Sequence, residues 1–304
     1  MYPKKRAYPA VNAAFDDQKG FRITMMKKML ALLLALLTAA SFSACKNKKD
    51  EKEDLNDYRE EEVVYTSVTN ESGTFYFETL DSDSVAITGY TGSTEPHDIT
   101  VPSTVQVGAD ENTATRKVTA IANTAFYADS SLRSVTLPEG ITSIGEYAFA
   151  KCVQLESINF PGSLETIGQG AFMGCGLKQL NFPASCGLTE LAFMTFSECM
   201  ELTSVTIPGY ITTIGRAAFY NCQGITEIVI SEGVATIEKQ AFQDTFALAD
   251  LTLPSTFTNT KPLEDLVFSG SKVLYRDHII CPEGSAAEEY ADRMNLSVPP
   301  AEEK

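Results

Sequence analysis

Four cysteines recur at a near-constant interval and are the first candidates for chemistry. Each lies three residues after a phenylalanine, and they are Cys152, Cys175, Cys199 and Cys222. Zinc sites pair cysteines at much closer spacing, and both histidines are remote in sequence, so we expect no metal here. Free cysteine behaves as a small apolar residue, which predicts a column of buried thiols. Disulfides between neighbours remain the alternative, because stacked neighbours could have Cα atoms near the disulfide window of about 4.4–6.8 Å.

The other reactive side chains form no recognisable catalytic motif. His97 follows a proline in a predicted loop, and His278 lies in the last predicted strand. The patterns GxSxG, HExxH and the P-loop do not occur in the sequence. Carboxylates are abundant but scattered, so no pair stands out as a glycosidase pair. Cys186 and Cys281 stand outside the cysteine column. We therefore predict a protein without enzymatic activity, cofactor or metal.

Composition and charge narrow the classes of partner. The 304 residues include 24 Lys and Arg against 40 Asp and Glu, which gives a net charge of −16. Nucleic acid is bound by cationic surface, so this balance predicts no nucleic-acid partner. Hydrophobic residues make up 44% of the chain and charged residues 21%, which is typical of a folded globular protein.

The elements that position these residues come from an internal repeat. Six nonapeptides such as ITTIGRAAF end in phenylalanine, at intervals of 23 or 24 residues. The phenylalanines are Phe126, Phe149, Phe172, Phe196, Phe219 and Phe242. Each nonapeptide is followed by a second pattern of the type LTSVTIP. Six aligned copies of both halves indicate one structural unit repeated along the chain.

The apolar spacing defines the shape of one unit. Val205 and Ile207 alternate with polar residues, which indicates a strand, and Pro208 ends it. A second short extended piece follows and closes at Gly215. Residues 216–222 are then expected to form roughly one helical turn that directs the phenylalanine inward. One unit cannot bury its own apolar side, so the copies must stack and share a core.

This pattern resembles the BspA-like leucine-rich-repeat family, whose unit reads approximately LxxIxIPxxVTxIGxxAFxxC. The resemblance is nearly complete over 117–256 and looser over 63–116 and 257–304. It implies an α/β repeat solenoid, a right-handed leucine-rich-repeat stack with short parallel strands, capped at both ends. The sequence departs from the family pattern at Asn123, Phe193, Ser231 and Glu238. Such isolated substitutions predict local bends.

Both ends of the stack require caps, because a terminal repeat otherwise exposes its core. Residues 74–90 are predicted to form a hairpin, and residues 98–105 an early degenerate unit. At the other end, a last strand and a helix beginning near Pro282 are expected. The helix residues that could cover the core are Ala287, Tyr290 and Ala291.

An export signal is predicted in residues 25–45. Lys27 and Lys28 precede an apolar run of 12 residues, which is too short for a membrane-spanning helix of about 20 residues. Phe42-Ser43-Ala44-Cys45 resembles a bacterial lipobox, although Phe42 stands where Leu is usual. The resemblance implies cleavage before Cys45 and its lipidation. An ordinary signal peptide with an incidental cysteine is the alternative.

These segments give a five-part organisation. Met25 or Met26 is expected to be the true translation start, with an extended n-region as the alternative. Removal of the leader takes away more bases than acids and leaves a net charge of −21. The predicted parts are a leader with a lipoprotein signal peptide (1–44, removed), a charged tether (45–62), an N-terminal β cap with a degenerate repeat (63–116), the BspA-like repeats (117–256) and a C-terminal cap (257–304).

The outward side of the repeated strands is the candidate binding face. Two neighbouring columns of mostly short polar side chains follow from strand alternation. One column contains Thr136, Asn159, Asn181, Thr206, Val229 and Thr252. The other contains Ser134, Ser157, Gln179, Ser204, Glu227 and Asp250. The columns either only solubilise the sheet or form a broad protein-docking face.

The resemblance implies a cell-surface lipoprotein that adheres to host or microbial proteins. We therefore expect an exported chain, lipid-anchored to the bacterial outer membrane and exposed at the surface. A glycan-binding or envelope-organising lipoprotein is the alternative. Neither column contains an aromatic residue for sugar stacking, but five tyrosines elsewhere could still serve a glycan site: Tyr90, Tyr127, Tyr147, Tyr210 and Tyr220.

Overall fold

The computed structural model describes residues 66–108, 113–258, 266–271 and 274–294. All of them belong to one compact unit that starts at Val63. This unit is a repeat solenoid of short strands, most of which pair in parallel with the next coil, so the predicted fold class is confirmed. The predicted leader, the tether and Cys45 lie outside the described residues.

The amino-terminal part of the unit is a β cap that continues into the solenoid. Its strands are β1 (Thr66–Asn70), β2 (Gly73–Thr79), β3 (Ser84–Thr91), β4 (His97–Thr100), β5 (Thr104–Val107) and β6 (Ala114–Ile121). Strands β1, β2 and β3 pair antiparallel, which includes the hairpin predicted for 74–90. Strand β3 then pairs in parallel with β6, so the cap and the first coil share one sheet.

Short strands continue through the coils and into the C-terminal cap. They are β7 (Leu132–Thr136), β8 (Ser143–Ile144), β9 (Ser157–Ile158), β10 (Thr166–Ile167), β11 (Glu190–Leu191), β12 (Ser204–Ile207), β13 (Thr213–Ile214), β14 (Glu227–Ile230), β15 (Thr236–Ile237), β16 (Asp250–Thr252) and β17 (Ile279–Ile280). Strands β4, β7 and β9 form one parallel sheet, and β12, β14, β16 and β17 form another. We call the outward side of these seven strands the strand face. Strands β6, β8, β10, β11, β13 and β15 form the second wall.

A stack of phenylalanine rings runs through the core. The six repeat phenylalanines and Phe268 are buried, and consecutive ring centroids are 4.8 to 5.4 Å apart with interplanar angles of 2° to 15°. Tyr90 continues the stack toward the amino-terminal cap, 6.0 Å from Phe126. Aromatic pairs of this kind contribute about 0.5–1.5 kcal/mol beyond their area burial. One ring per coil therefore holds adjacent coils in register.

The turn that carries each phenylalanine is not helical, and the expected helical turn over 216–222 is wrong. The residues two before and two after each stacked phenylalanine have left-handed φ values, such as 55° at Ala217 and 59° at Asn221 around Phe219. The chain instead makes consecutive tight turns, in which Ala218 N–H bonds to Gly215 O and Tyr220 N–H bonds to Ala217 O.

The left-handed residues have a clear structural purpose. In an α-helix each backbone N–H donates to the carbonyl oxygen of the residue four positions earlier in the same segment. Here the N–H of Phe219 donates to Ala241 O of the next coil at 2.7 Å, and the N–H of Asn221 donates to Gln243 O at 2.8 Å. The same pattern recurs from coil to coil. The turns therefore form a third hydrogen-bonded wall, and bonding between coils overrides the local preference for a helix.

The carboxyl-terminal end is covered by the one α-helix in the described residues, α1 (Ala286–Arg293). It begins four residues later than Pro282, with Ser285 as its N-cap. Its buried residues are Ala287, Tyr290 and Ala291, as expected. The Tyr290 ring meets Phe257 edge-on at 4.9 Å between centroids. The helix thus covers the core that the last coil would leave exposed.

The left-handed turns predict opposite effects for glycine at two alanines of one turn. Ala128 is exposed with a φ of 58°, while Ala125 is nearly buried and is not among the left-handed residues. Glycine at 128 relieves about 1–2 kcal/mol of left-handed strain and costs about 0.5–1 kcal/mol of backbone entropy. We expect Ala128→Gly to keep or raise the free energy of unfolding, and Ala125→Gly to lower it by about 1–2 kcal/mol. Urea denaturation measures both, and equal losses would contradict the left-handed turn.

Candidate binding face

The structure places the two predicted columns side by side on the strand face. Ser134 pairs with Ser157 across β7 and β9. Farther along, Glu227 lies between Ser204 and Asp250, and Val229 lies between Thr206 and Thr252, across β12, β14 and β16. The intervening residues of these strands point inward and are buried. Strand alternation therefore directs both columns outward.

The strand face is interrupted in its middle. Gln179 and Asn181 are exposed, but residues 177–183 contain no assigned strand between β9 and β12. This coil has the 24-residue spacing, but its side chains still alternate, with Leu180 buried between the exposed Gln179 and Asn181. The break leaves two surfaces. The N-terminal patch consists of Ser134, Thr136, Ser157 and Asn159, and the C-terminal patch consists of Ser204, Thr206, Glu227, Val229, Asp250 and Thr252.

Asn159 holds two coils together with its side chain. Its Oδ1 accepts from Leu137 N–H at 2.7 Å, and its Nδ2 donates to Leu137 O at 2.9 Å. Strand β9 ends one residue earlier, at Ile158. The amide therefore extends the bonding between coils past the end of the strand. We assign Asn159 to the scaffold and not to partner contact.

A row of alternating charges flanks the N-terminal patch and was not among the residues predicted from the sequence. Arg133 donates to both carboxylate oxygens of Asp98, at 2.8 and 2.9 Å. These hydrogen bonds, with one from Ser134, lower the pKa of Asp98 to about 2. In the following coils, Lys178 Nζ lies 2.7 Å from Glu156. Exposed pairs of this kind contribute little to stability, so their main effect is a fixed charge pattern.

The sequence did contain a signal for this row. Arg133, Glu156 and Lys178 each occupy the unit position just before the column of Ser134, Ser157 and Gln179. Their alternating signs at one repeat position would have identified the row.

An apolar groove lies at the carboxyl-terminal end of the strand face. It has a volume of about 400 Å³. Its lining residues are Val229, Ile230, Ser231, Glu232, Thr252, Leu253, Pro254, Ile280, Cys281 and Pro282. Two of them, Val229 and Thr252, belong to the predicted columns. Ile280 was not predicted as a site residue, because its unit is too degenerate to align with the columns.

Carboxylates border this end of the face. Glu232 accepts two hydrogen bonds from Ser255, from the backbone N–H and the hydroxyl, each at 2.8 Å. These bonds lower the pKa of Glu232, so it is charged at neutral pH. Asp250 lies 3.1 Å from Nδ1 of His278. His278 therefore contacts a carboxylate of the acidic border, and this contact does not pair it with a nucleophilic side chain.

The other histidine belongs to the amino-terminal cap. Its Nε2 lies 2.7 Å from the hydroxyl of Tyr90, and its Nδ1 lies 2.8 Å from Glu95 O. The Tyr90 hydroxyl also bonds to Ser72 O. The His97 side chain thus joins β4 to β3 within the cap. Across the described ranges, no three His, Cys, Asp or Glu side chains are grouped as a metal site.

The cysteine column is structural. The four thiols are free and buried, and each donates to the carbonyl oxygen of the phenylalanine in the preceding coil, as from Cys222 Sγ to Phe196 O at 3.1 Å. Burial raises the pKa of Cys152 and Cys199 to about 12, and raises those of Cys175 and Cys222 well above the usual value. Cys186 and Cys281 are also free and are only half-buried.

The five tyrosines considered for glycan stacking are all half-buried. The Tyr147 hydroxyl accepts from Gln169 Nε2 at 2.6 Å, and the Tyr210 hydroxyl donates to Pro183 O at 2.8 Å. Both contacts join neighbouring coils. Tyr147 and Tyr210 therefore serve the scaffold, and none of the five rings lines the groove.

Comparison with known families identifies the repeats. The family model for the BspA type leucine rich repeat region matches in six copies, over 119–246 and 147–275. Together these ranges span more than half of the chain, and the chain belongs to this family. It is therefore a leucine-rich-repeat scaffold, of a class that generally binds proteins and is generally not enzymatic.

Three solved structures illustrate the likeness. A leucine rich repeat protein of T. pallidum is 26% identical, with 68% of this chain and 78% of that chain covered and a TM-score of 0.44. The pneumococcal vaccine antigen PcpA is 20% identical, with 73% and 51% covered and a TM-score of 0.45. A leucine rich cell surface protein of Faecalibacterium prausnitzii is 18% identical, with 77% and 99% covered and a TM-score of 0.27. No curated protein matches the chain. No helix in the described part of the chain has the length and hydrophobicity that a bilayer crossing requires.

The raised thiol pKa values predict a loss of stability at alkaline pH. Thiols ionise near pH 9 in the unfolded chain but near pH 12 in the folded chain, so their contribution is complete below pH 9 and is lost as pH rises toward 12. Each thiol then lowers the free energy of unfolding by about 1.4 kcal/mol per pH unit in this window. Urea denaturation from pH 8 to 11 measures the slope.

Other groups titrate in the same range, so a matched variant isolates one thiol. Cys199→Ser keeps a donor for Phe172 O but does not ionise. Above pH 9, we expect the free energy of unfolding of Cys199→Ser to fall less steeply with pH than that of the parent chain, by the contribution of one thiol. Identical slopes would contradict burial of Cys199 as a neutral thiol.

Proposed function

We propose that this chain is an exported, lipid-anchored scaffold on the bacterial surface that binds host or microbial proteins through its strand face. The observation that carries the proposal is the outward register of polar side chains along β7, β12, β14 and β16. These side chains stand on a backbone that is bonded from coil to coil. Little conformational entropy is then lost on binding, which favours a broad docking surface.

The chemistry of the face supports a protein partner. Short hydroxyl side chains, a row of alternating charges and an apolar groove lie along one surface. Protein interfaces combine such polar and apolar contacts over roughly 800 Å² on each partner. Sugar stacking would require exposed aromatic rings, and the tyrosines considered for it are half-buried between coils. The binding test must therefore distinguish glycan binding from protein binding.

The anchor in this proposal rests on the sequence. Phe42-Ser43-Ala44-Cys45 resembles a lipobox, and the highly charged residues 46–62 that follow have the composition of a solvated tether. Three acyl chains on Cys45 would give stable attachment, because more than one chain is needed. Such a tether would hold the repeats away from the membrane.

Arginine at the strand face is expected to weaken partner binding. Thr136 and Thr206 are exposed on the strand face, while Thr166 and Thr236 are exposed on the second wall. The full chain, in detergent, is tested by biolayer interferometry against a panel of purified matrix proteins and polysaccharides. We expect capture of a protein, with Thr136→Arg or Thr206→Arg raising the Kd at least about tenfold, or about 1.4 kcal/mol.

The second-wall substitutions are the matched controls, since they replace an exposed strand threonine with the same side chain on the other wall of the solenoid. Thr166→Arg and Thr236→Arg should leave the Kd unchanged. Capture of polysaccharide alone would overturn the protein-binding proposal, and equal loss in all four variants would overturn the assignment of the face.

Substitution of Cys45 is expected to release the protein from membranes. Without the thiol no diacylglycerol can be attached, so Cys45→Ala should move from the membrane pellet to the soluble fraction. Fractionation of cells that express the full chain, followed by immunoblotting, measures the distribution. Cys186→Ala is the control and should stay in the pellet. Retention of Cys45→Ala in membranes would refute anchoring at this residue.

A further inference from the structure

We propose that the groove at the carboxyl-terminal end of the strand face docks an extended protein segment that carries both apolar and cationic side chains. The proposal rests on the protein-binding function above and names the partner chemistry at one part of the face. Three features carry it: an exposed apolar floor, an acidic border and a neighbouring strand edge that is already bonded.

The apolar floor is exposed to an unusual degree. Ile280 is 68% exposed, the highest value among the large exposed hydrophobic residues of the described chain. It pairs in register with Thr252 and follows Val229 in the same column. Pro254 and Pro282 complete the apolar surface around it. A grouped apolar surface with a polar rim is typical of a protein interaction site.

The border of the groove is negatively charged. Glu232 lines the groove, and its hydrogen bonds to Ser255 lower its pKa. Glu227 and Asp250 are adjacent in register on β14 and β16, and both are exposed. Of the described residues that line the groove, none is Lys or Arg. Complementary potential therefore favours a partner with Lys or Arg beside its apolar residues.

The nearby arginine is already paired within the cap. Arg276 Nε lies 2.7 Å from Asp292 of α1. The Asp292 contact raises the pKa of Arg276 and keeps its charge engaged within the cap. Arg276 is thus engaged by Asp292 and leaves the charge of Glu232 in place at the groove.

The mode of docking follows from the edge strand. Strand β17 is the last strand of its sheet, and an open edge would invite addition of a further strand. However, Ile279 N–H bonds to Arg276 O, and Ile279 O accepts from Arg276 Nη1 at 3.4 Å. Both outward backbone groups of Ile279 are therefore used. The partner segment must contact side chains across the face and cannot simply extend the sheet at Ile279.

Charge also decides between a foreign segment and this protein's own chain. A second copy would bring the same acidic border, on a chain with a net charge of −16. Residues 295–304 contain two Glu and one Lys, and residues 46–62 contain eight acids and five bases. None of these offers a cationic excess, and the leader, which has seven bases against two acids, is predicted to be removed. The charge balance therefore favours a foreign cationic partner.

A set of designed peptides tests this chemistry directly. The probe is a fluorescent eight-residue peptide of alternating Val and Lys, and its controls alternate Val with Glu and Ser with Lys. Anisotropy with the full chain measures each affinity. We expect the Val/Lys peptide to bind at least about tenfold more tightly than either control, and to weaken as salt rises from 50 to 300 mM.

Variants locate the peptide on the groove. Ile280→Ser and Glu232→Gln should each weaken the Val/Lys peptide by about fivefold or more. Val153 is 56% exposed and lies outside the groove, so Val153→Ser is the matched control and should have no effect. Equal binding of the three peptides, or unchanged affinity in both groove variants, would overturn the proposal.

Two further results would assign the groove to another occupant and also overturn the proposal. A truncation after residue 294 that raises the affinity would show that the chain's own carboxyl-terminal segment covers the groove. A dimer in light scattering that dissociates in Ile280→Asp would show a second copy there. If the peptides do not bind as expected, but the parent chain still captures a protein and Thr136→Arg weakens that capture, only this inference is rejected. If the parent chain captures no protein, the proposed function is rejected.

Discussion

The stacking of one phenylalanine per coil is the interaction on which the whole structure depends. No single coil can bury its own apolar side, so each coil is stable only against its neighbours. The stack from Phe126 to Phe268 sets a spacing of 4.8 to 5.4 Å between rings, close to the spacing of hydrogen-bonded strands. Ring contact and backbone bonding therefore agree at every coil, and the turn wall adopts left-handed residues to maintain both.

The arrangement of side chains on the strand face follows from the stacking of this core. Because the coils are in register, side chains at one repeat position form a row on the surface, as Ser204, Glu227 and Asp250 do. The strands are interrupted over 177–183, which divides the face into two patches. At the end of β9, the Asn159 side chain provides the contact to the preceding coil. The surface available to a partner is thus a direct consequence of how the interior is stacked.

The reactive side chains largely serve the scaffold. The cysteine column donates to the carbonyls of the phenylalanine turns, and Tyr147 and Tyr210 bridge neighbouring coils. Arg276 bonds both to the edge strand and to the helix of the cap. What remains for function is the outward surface, with neutral hydroxyls and paired charges toward one end and an acidic, apolar groove at the other. A protein-binding role uses that surface as it stands.

The sequence by itself determined the repeat length, the stacked phenylalanines, the outward columns and the burial of Tyr290. Each of these follows from side-chain periodicity and the 23-residue spacing, which can be recognised from the order of residues alone. The signals at Cys45 and in the tether remain sequence predictions. Only the tertiary structure decided the left-handed turns around Phe219, the hydrogen bonds of the Asn159 side chain between coils and the groove at Ile280. Each depends on bonds or contacts between coils. A residue such as Ala217 adopts its backbone angle because a carbonyl of the next coil needs a donor, and that carbonyl is 22 residues away in sequence.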